Sequence, residues 1–547
     1  MNSDLFHKKG AERVPSPAVN CRTSQAVVTP VNVDQLGKWL HGYFPDTVQY
    51  LLDGFKNGFK IPFNGIRSFH PCKNLKSAAE NLDILKEKIA IEISEGRVAG
   101  PFVQKPFLNF QVSPLGLVAK KSPGQYRVIH HLSYPEGSSV NDGIPSESCT
   151  VHYQSIDDAV ALIKQCGPQC LLSKVDISNA FRLVPIRPED HELLGLCIDE
   201  EFYYDKVLPQ GLSFSCALFE TFSKALHWLA EKKLNIPGCA HVLDDFLFVG
   251  NSSYQQGLDD VTRFLRLAET LGVPINQEKT VLPCTTLTFV GIELDSVQME
   301  KRLPLDKLQK VRQCLQNTKC RKKITLQELQ SIIGLLNFAC SVVSPGRAFL
   351  RRLIDLTIGL RKPHHKRRLN NEARADLQAW SGFIEEFNGK SMFLPDRWES
   401  SETLNLFTDA SDTGFGGYFQ KFWFSQTWPE AWRVYHITVK ELFPIVIALE
   451  LWADKLQNTC IMFHTDNLAV VHIINKQSSK EKTIMALVRR LVLQCMRYNI
   501  MFQATHIAGV HNSLADKLSR QQVQDFLRLF PYGNPEFLEV PEESLIV

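Results

Sequence analysis

His241-Val242-Leu243-Asp244-Asp245-Phe246-Leu247-Phe248-Val249-Gly250 sets two adjacent carboxylates between apolar runs of strand length. Gly250-Asn251 closes the second run, so the stretch reads as a buried β-hairpin with its acids at the tight turn. Uncompensated charges at such a turn are costly, and a bound cation relieves the cost. The dipeptide alone means little. Asp157-Asp158 follows Ser155 and precedes Ala-Val-Ala-Leu-Ile, a capped helix start where acids favour the dipole. Asp259-Asp260 falls near the start of a helix whose apolar face is Leu258, Val261, Leu265 and Ala268, so it reads as solvent-exposed.

Upstream, Leu171-Leu-Ser-Lys-Val-Asp-Ile-Ser-Asn-Ala-Phe181 ends another strand-like run at Asp176. Adjacent strands presenting Asp176 and Asp244 suit two Mg²⁺ ions roughly 3.5–4 Å apart, with Mn²⁺ as a substitute. Hard oxygen ligands and substrate phosphates are what Mg²⁺ prefers. A second acidic set lies downstream. Leu404-Asn-Leu-Phe-Thr-Asp409 alternates like a strand, and Glu441 opens an apolar helix running to Trp452. Cys460–Asp466 is another strand ending in an acid, and Thr505–Asp516 precedes a helix. Singly, each acid has a plain alternative as a cap, a turn or a helix surface.

The chain has 547 residues, 44% hydrophobic and 22% charged, which is ordinary globular material for several cores. At roughly 100–200 residues per domain this is about three to five domains. Formal net charge is +3. From Lys301 to Asn370, however, 17 Lys/Arg face three acids, a block of +14 that leaves −11 elsewhere. Such a block beside acidic sites suits a polyanion held along a track. Its plain alternative is a solvated face with a nuclear-targeting run at His364–Arg368. The 14 cysteines form no paired C-x-x-C or zinc-knuckle spacing, as expected of reduced thiols in an intracellular protein. No apolar signal core or ~20-residue apolar span is present, so the expectation is the cytoplasm or nucleus with no membrane partner.

From about Gly100 to Leu294 the chain resembles the fingers and palm of retroelement reverse transcriptases. Val175–Phe181 is similar to their first palm motif, Leu208-Pro-Gln-Gly-Leu212 to the template- and nucleotide-positioning motif, and Val242-Leu-Asp-Asp245 to Y-x-D-D. Gly272–Lys279 and Leu287–Leu294 resemble the next two, the second being the primer grip. The resemblance implies that Asp176, Asp244 and Asp245 are catalytic metal ligands. It implies that Lys120 and Arg127 clamp the triphosphate, that Phe181 bars a ribose 2′-OH, that Gln210 contacts the nucleotide, and that Lys279 donates a proton to pyrophosphate. Val242 departs from the family tyrosine, which touches a primer-end contact and leaves the metal ligands intact.

Thr403–Arg520 resembles a ribonuclease H fold with its D-E-D-D set at Asp409, Glu441, Asp466 and Asp516. His506, ten residues before Asp516, stands at the family's spacing for a loop histidine that assists proton transfer or product release. A surface loop histidine is its plain alternative. The basic block occupies the position of thumb and connection. His130-His-Leu-Ser-Tyr-Pro-Glu-Gly-Ser-Ser-Val-Asn-Asp142 and Leu329–Leu353 resemble DIRS-type retrotransposon polyproteins over gypsy-type ones.

These resemblances imply a multidomain α/β (α+β) fold: a right-hand polymerase with helical thumb and connection, then a ribonuclease H-like α/β domain. The expected segments are 1–75 (a partly helical extension whose first 30 residues are loose), 76–296 (fingers and palm), 297–400 (basic thumb, connection and linker), 401–525 (ribonuclease H-like) and 526–547 (tail). Arg361–Arg368 reads as a charged linker. The implied partners are an RNA template, a DNA primer, the RNA–DNA hybrid and dNTPs, with two Mg²⁺ per site. The competing expectation is a decayed or domesticated protein that binds nucleic acid without polymerase activity.

Overall fold

The computed structural model describes residues 27–69, 71–120, 124–386, 389–477, 479–532 and 535–546. The loose stretch expected at the start of the chain lies largely outside them. The chain divides into two compact units. The first comprises residues up to Val151, Asn179–Phe222 and Glu269–Pro274; the second comprises His152–Ser178, Ser223–Ala268 and Ile275–Val547.

In the first unit, helices Val33–Trp39 and Pro45–Asn57 turn Leu36, Leu51 and Phe55 inward, all fully buried or nearly so. Phe59 packs edge-on against Phe55, and its N–H donates to the Pro185 carbonyl at 2.9 Å. Residues 33–61, within the segment expected as a partly helical extension, thus contribute to this unit's core. Lys76–Ala79 and Leu82–Ser94 are two separate helices. Leu82–Ser94 covers the hairpin Leu115–Ala119/Tyr126–His130 and an antiparallel sheet of Val98–Phe102, Glu201–Asp205 and Gly195–Ile198.

The second unit opens on an antiparallel sheet in the order Cys239–Val242, Asp245–Gly250, Leu171–Asp176, Val281–Cys284. Helix Ile156–Cys166 lays Ala159, Val160 and Ile163 on its inner face. Ser155 and Asp158 form a reciprocal capping box there, as the sequence predicts. Asp260 departs from expectation. It is 4% exposed, accepts from Gln256 Nε2 at 3.0 Å and pairs with Arg263, so partners one turn away on both sides allow its burial.

Beyond the palm, helices Leu305–Lys319 and Leu326–Ala339 lie within the basic block, and helix Asn371–Glu386 follows it. The expected linker contains a strand, Lys366–Arg368, pairing antiparallel with Lys323–Thr325 and held by the buried Ile324 opposite Arg367. Leu406–Ala410, Gly414–Phe419 and Phe422–Thr427 then form an antiparallel sheet, and Trp398–Ser400, Cys460–Thr465 and Met501–His506 a parallel one. Helix Ile437–Trp452 is buried on nearly every side. The expected tail is packed. Glu536–Phe537 adds a parallel strand beside Phe422, Phe526 is fully buried against Tyr418 and Trp423, and Trp432 Nε1 donates to the Leu545 carbonyl at 3.0 Å. No helix among the described residues is long and apolar enough to cross a membrane.

Candidate active sites

The first site lies in the second unit. Asp176 ends its strand directly opposite Asp245, and Val242 pairs with Asp245 across a two-residue turn of Leu243 and Asp244. Leu243 adopts φ 54°, a left-handed conformation unusual for a bulky residue and found where function fixes the backbone. The Ile177 N–H donates to the Asp244 carbonyl at 3.0 Å, which ties the turn to the neighbouring strand. The strand register and the turn therefore bring three carboxylates to one sheet end. Asp176 is 4% exposed, and Lys279 Nζ lies 3.0 and 3.1 Å from its two oxygens. Lys174, two residues before Asp176 on the same strand face, is 3.9 Å from Asp245. Burial pushes the Asp245 carboxyl up to about 6, Lys174 opposes this, and Asp244 and Asp176 reinforce it.

Lys279 is the one expected nucleotide ligand in the same unit as these acids. The other four lie in the first unit. Lys120 and Arg127 are exposed on the hairpin arms, and residues 121–123 between them are outside the described part. Phe181 sits half-buried in the short turn Ala180–Leu183, edge-on to Phe219 at 5.7 Å. Gln210 is exposed in the loop before helix Ser215–Trp228.

Three of the four acids of the second set converge. Oxygens of Asp409, Glu441 and Asp466 lie within 4.8 Å of one another. Asp409 is near the end of Leu406–Ala410, and Asp466 follows Cys460–Thr465. Glu441 lies one turn inside its helix, which begins at Ile437, where a helix-opening position was expected. Asp516 sits within helix Ser513–Ser519, where it was expected ahead of one, and Arg520 pairs with it at 2.7 Å. Burial, then the charges of Asp466 and Asp516, hold the Asp409 carboxyl up at about 7 against the opposing hydrogen bond from Ser519. Burial and the neighbouring Asp409 and Asp466 hold Glu441 up at about 9. A set of clustered, poorly compensated carboxylates fits a hard divalent cation, which would hold them ionised. His506 ends Met501–His506, exposed and in register with Thr465, the residue before Asp466.

Residues 118–294 match the family described as reverse transcriptase (RNA-dependent DNA polymerase), and residues 399–495 the RNase H-like domain found in reverse transcriptase. This chain joins a reverse transcriptase domain to an RNase H-like domain. The Transposon Tf2-3 polyprotein of Schizosaccharomyces pombe is 26% identical over 381 residues, covering 66% of this chain and 26% of that protein. The enzymatic polyprotein of Cauliflower mosaic virus (strain Strasbourg) is 22% identical over 438 residues, covering 77% and 59%. The chain thus spans about a quarter of the length of its transposon relative. The foamy viral protease-reverse transcriptase in complex with RNA/DNA hybrid superposes with a TM-score of 0.50 at 17% identity, covering 87% of this chain and 63% of that one, a likeness of fold. Both domains belong to divalent-metal-dependent enzyme classes.

Sequence reading missed several residues around these sites. In the RNase H-like domain, Ser519 Oγ donates to Asp409 at 2.7 Å, and Asn512 Nδ2 donates to Asp409 at 3.2 Å and to the Thr408 carbonyl at 3.0 Å. In the reverse transcriptase domain Lys174 was missed. Its spacing of two before Asp176 was the available signal; Ser519 and Asn512 reach a strand about 100 residues away and leave none in the local sequence.

Proposed function

We propose that this chain is an RNA-directed DNA polymerase with ribonuclease H activity. It extends a DNA primer on an RNA template with dNTPs and hydrolyses the RNA of the resulting hybrid. The observation that carries this reading is the pair of separate carboxylate clusters, one at the end of the palm sheet and one in the RNase H-like fold. Divalent cations, Mg²⁺ with Mn²⁺ as substitute and two per site, supply charge neutralisation and activation of the attacking oxygen in each.

Asp176, Asp244 and Asp245 hold the metals at the polymerase site. Lys279 balances Asp176 and is the proton donor to departing pyrophosphate. Phe181, braced by Phe219, stands against the sugar 2′-carbon and excludes ribonucleotides, while Lys120, Arg127 and Gln210 hold the incoming dNTP. At the nuclease site Asp409, Glu441, Asp466 and Asp516 are the ligands, and His506 moves a proton or releases product. Hybrid and dNTP substrates place this work in the cytoplasm or nucleus. The 130–142 and 329–353 stretches support a DIRS-type retrotransposon origin; an integrase reading frame beside the gene would count against it.

Primer extension on poly(rA)/oligo(dT) with dTTP tests the polymerase, and cleavage of a labelled hybrid tests the nuclease. Asp244→Asn is expected to abolish synthesis and spare cleavage, and Asp466→Asn to do the reverse. Loss of both activities in both variants would refute the two-site reading.

A further inference from the structure

The 130–142 stretch has no role in the chemistry above, yet it grips the Leu208–Ser213 loop through one side chain. Asn141 Nδ2 donates to the Gly211 carbonyl at 2.9 Å and to Ser133 Oγ at 2.8 Å, and its Oδ1 accepts from the Ser213 N–H at 2.9 Å. Its backbone N–H donates to the Leu132 carbonyl at 3.0 Å, so the clamp is itself tethered. Gly211 adopts φ +121°, and a Cβ there would fall 2.1 Å from the His130 carbonyl oxygen. The His130 ring is fixed in turn, 3.2 Å from both Asp205 and the Gly195 carbonyl. One residue before Gln210, the Pro209 carbonyl accepts from Ser215 Oγ at 2.8 Å.

Main-chain groups are therefore held at positions 209, 211 and 213, and the Leu212 side chain is buried. Gln210 is left exposed between two fixed neighbours. A connecting loop at the surface needs no such anchoring, whereas a side chain that must meet a substrate gains from it, since small misplacements cost rate steeply.

We propose that Asn141 is a positioning residue for nucleotide selection, acting through the main chain on either side of Gln210. The inference rests on the polymerase reading above. Asn141→Ala in the full chain is expected to raise the KM for dTTP on poly(rA)/oligo(dT) about tenfold, with a smaller change in kcat. Hybrid cleavage should be unchanged, which a general loss of folding would not allow. Since Asn141 acts through Gln210, the Asn141→Ala/Gln210→Ala double variant should be no worse than Gln210→Ala. Should the alanine variant fail to fold, Asn141→Asp carries the same comparison, as it keeps the acceptor for Ser213 and loses the donor to Gly211. An unaltered KM, or effects that multiply in the double variant, would overturn the clamp. Wild-type chain that cleaves hybrid but incorporates no dTTP would overturn the polymerase reading and the clamp with it.

Discussion

Without bound metal, burial holds the carboxyls of Glu441 and Asp409 toward their protonated forms. Burial is the main cause, with facing carboxylates adding to it, and the groups are pushed to about 9 and about 7. In an unfolded chain they would ionise near pH ~4. Between that pH and their raised values, the folded protein holds protons that the unfolded chain has released, so stability falls as pH rises through this window. In the presence of a chelator, Tm should drop between about pH 5 and about pH 9. Mg²⁺ should restore it and release protons, measurable as a buffer-dependent heat of binding. Glu441→Gln should flatten much of the slope, raise the metal-free Tm and abolish hybrid cleavage. A wild-type Tm that stays level across the range in chelator would contradict the electrostatic account.

Gly211 lies in a connecting element whose shape is imposed by its neighbours. Its φ of +121° excludes side chains on conformational grounds, and the His130 carbonyl excludes them by contact. Gly211→Ala should cost roughly 1–3 kcal/mol in urea denaturation and weaken dNTP use, because the obstructing atom is backbone and cannot swing aside. Stability and KM both unchanged would show the loop to be looser than described. Elements with local causes were legible in the sequence. The Asp244 hairpin follows from alternating apolar residues around a turn, and the Ser155 cap from a Ser-x-x-Asp spacing. Asp176, Asp409 and Asp466 were readable because each ends or follows an apolar run, whereas Glu441 and Asp516 lie inside helices. Elements with distant causes were not. Lys366–Arg368 has no apolar alternation and is a strand because Ile324 anchors its partner. Asp260 is a local exception, buried by its ion pair with Arg263 one turn on, whereas Asn141 bonds to Gly211 and Ser213, 70 and 72 residues away.

At the scale of the whole molecule, residues 526–532 and 535–546 contribute to the RNase H-like core. Phe526 and Val540 are buried at 0% and 3% exposure, each contributing about 1.5–3 kcal/mol. A chain stopped after Asp525 should lose hybrid cleavage and melt earlier, while primer extension persists. Undiminished cleavage by that chain would show the segment to be dispensable. The parallel pairing of Glu536–Phe537 with Phe422–Trp423 has another consequence. The two partners are more than a hundred residues apart, and contacts of such separation form late. On a ribosome the palm strands, all encoded before residue 285, can be in place long before residue 536 emerges. During its own synthesis the chain should therefore acquire the capacity to copy RNA before the capacity to destroy it.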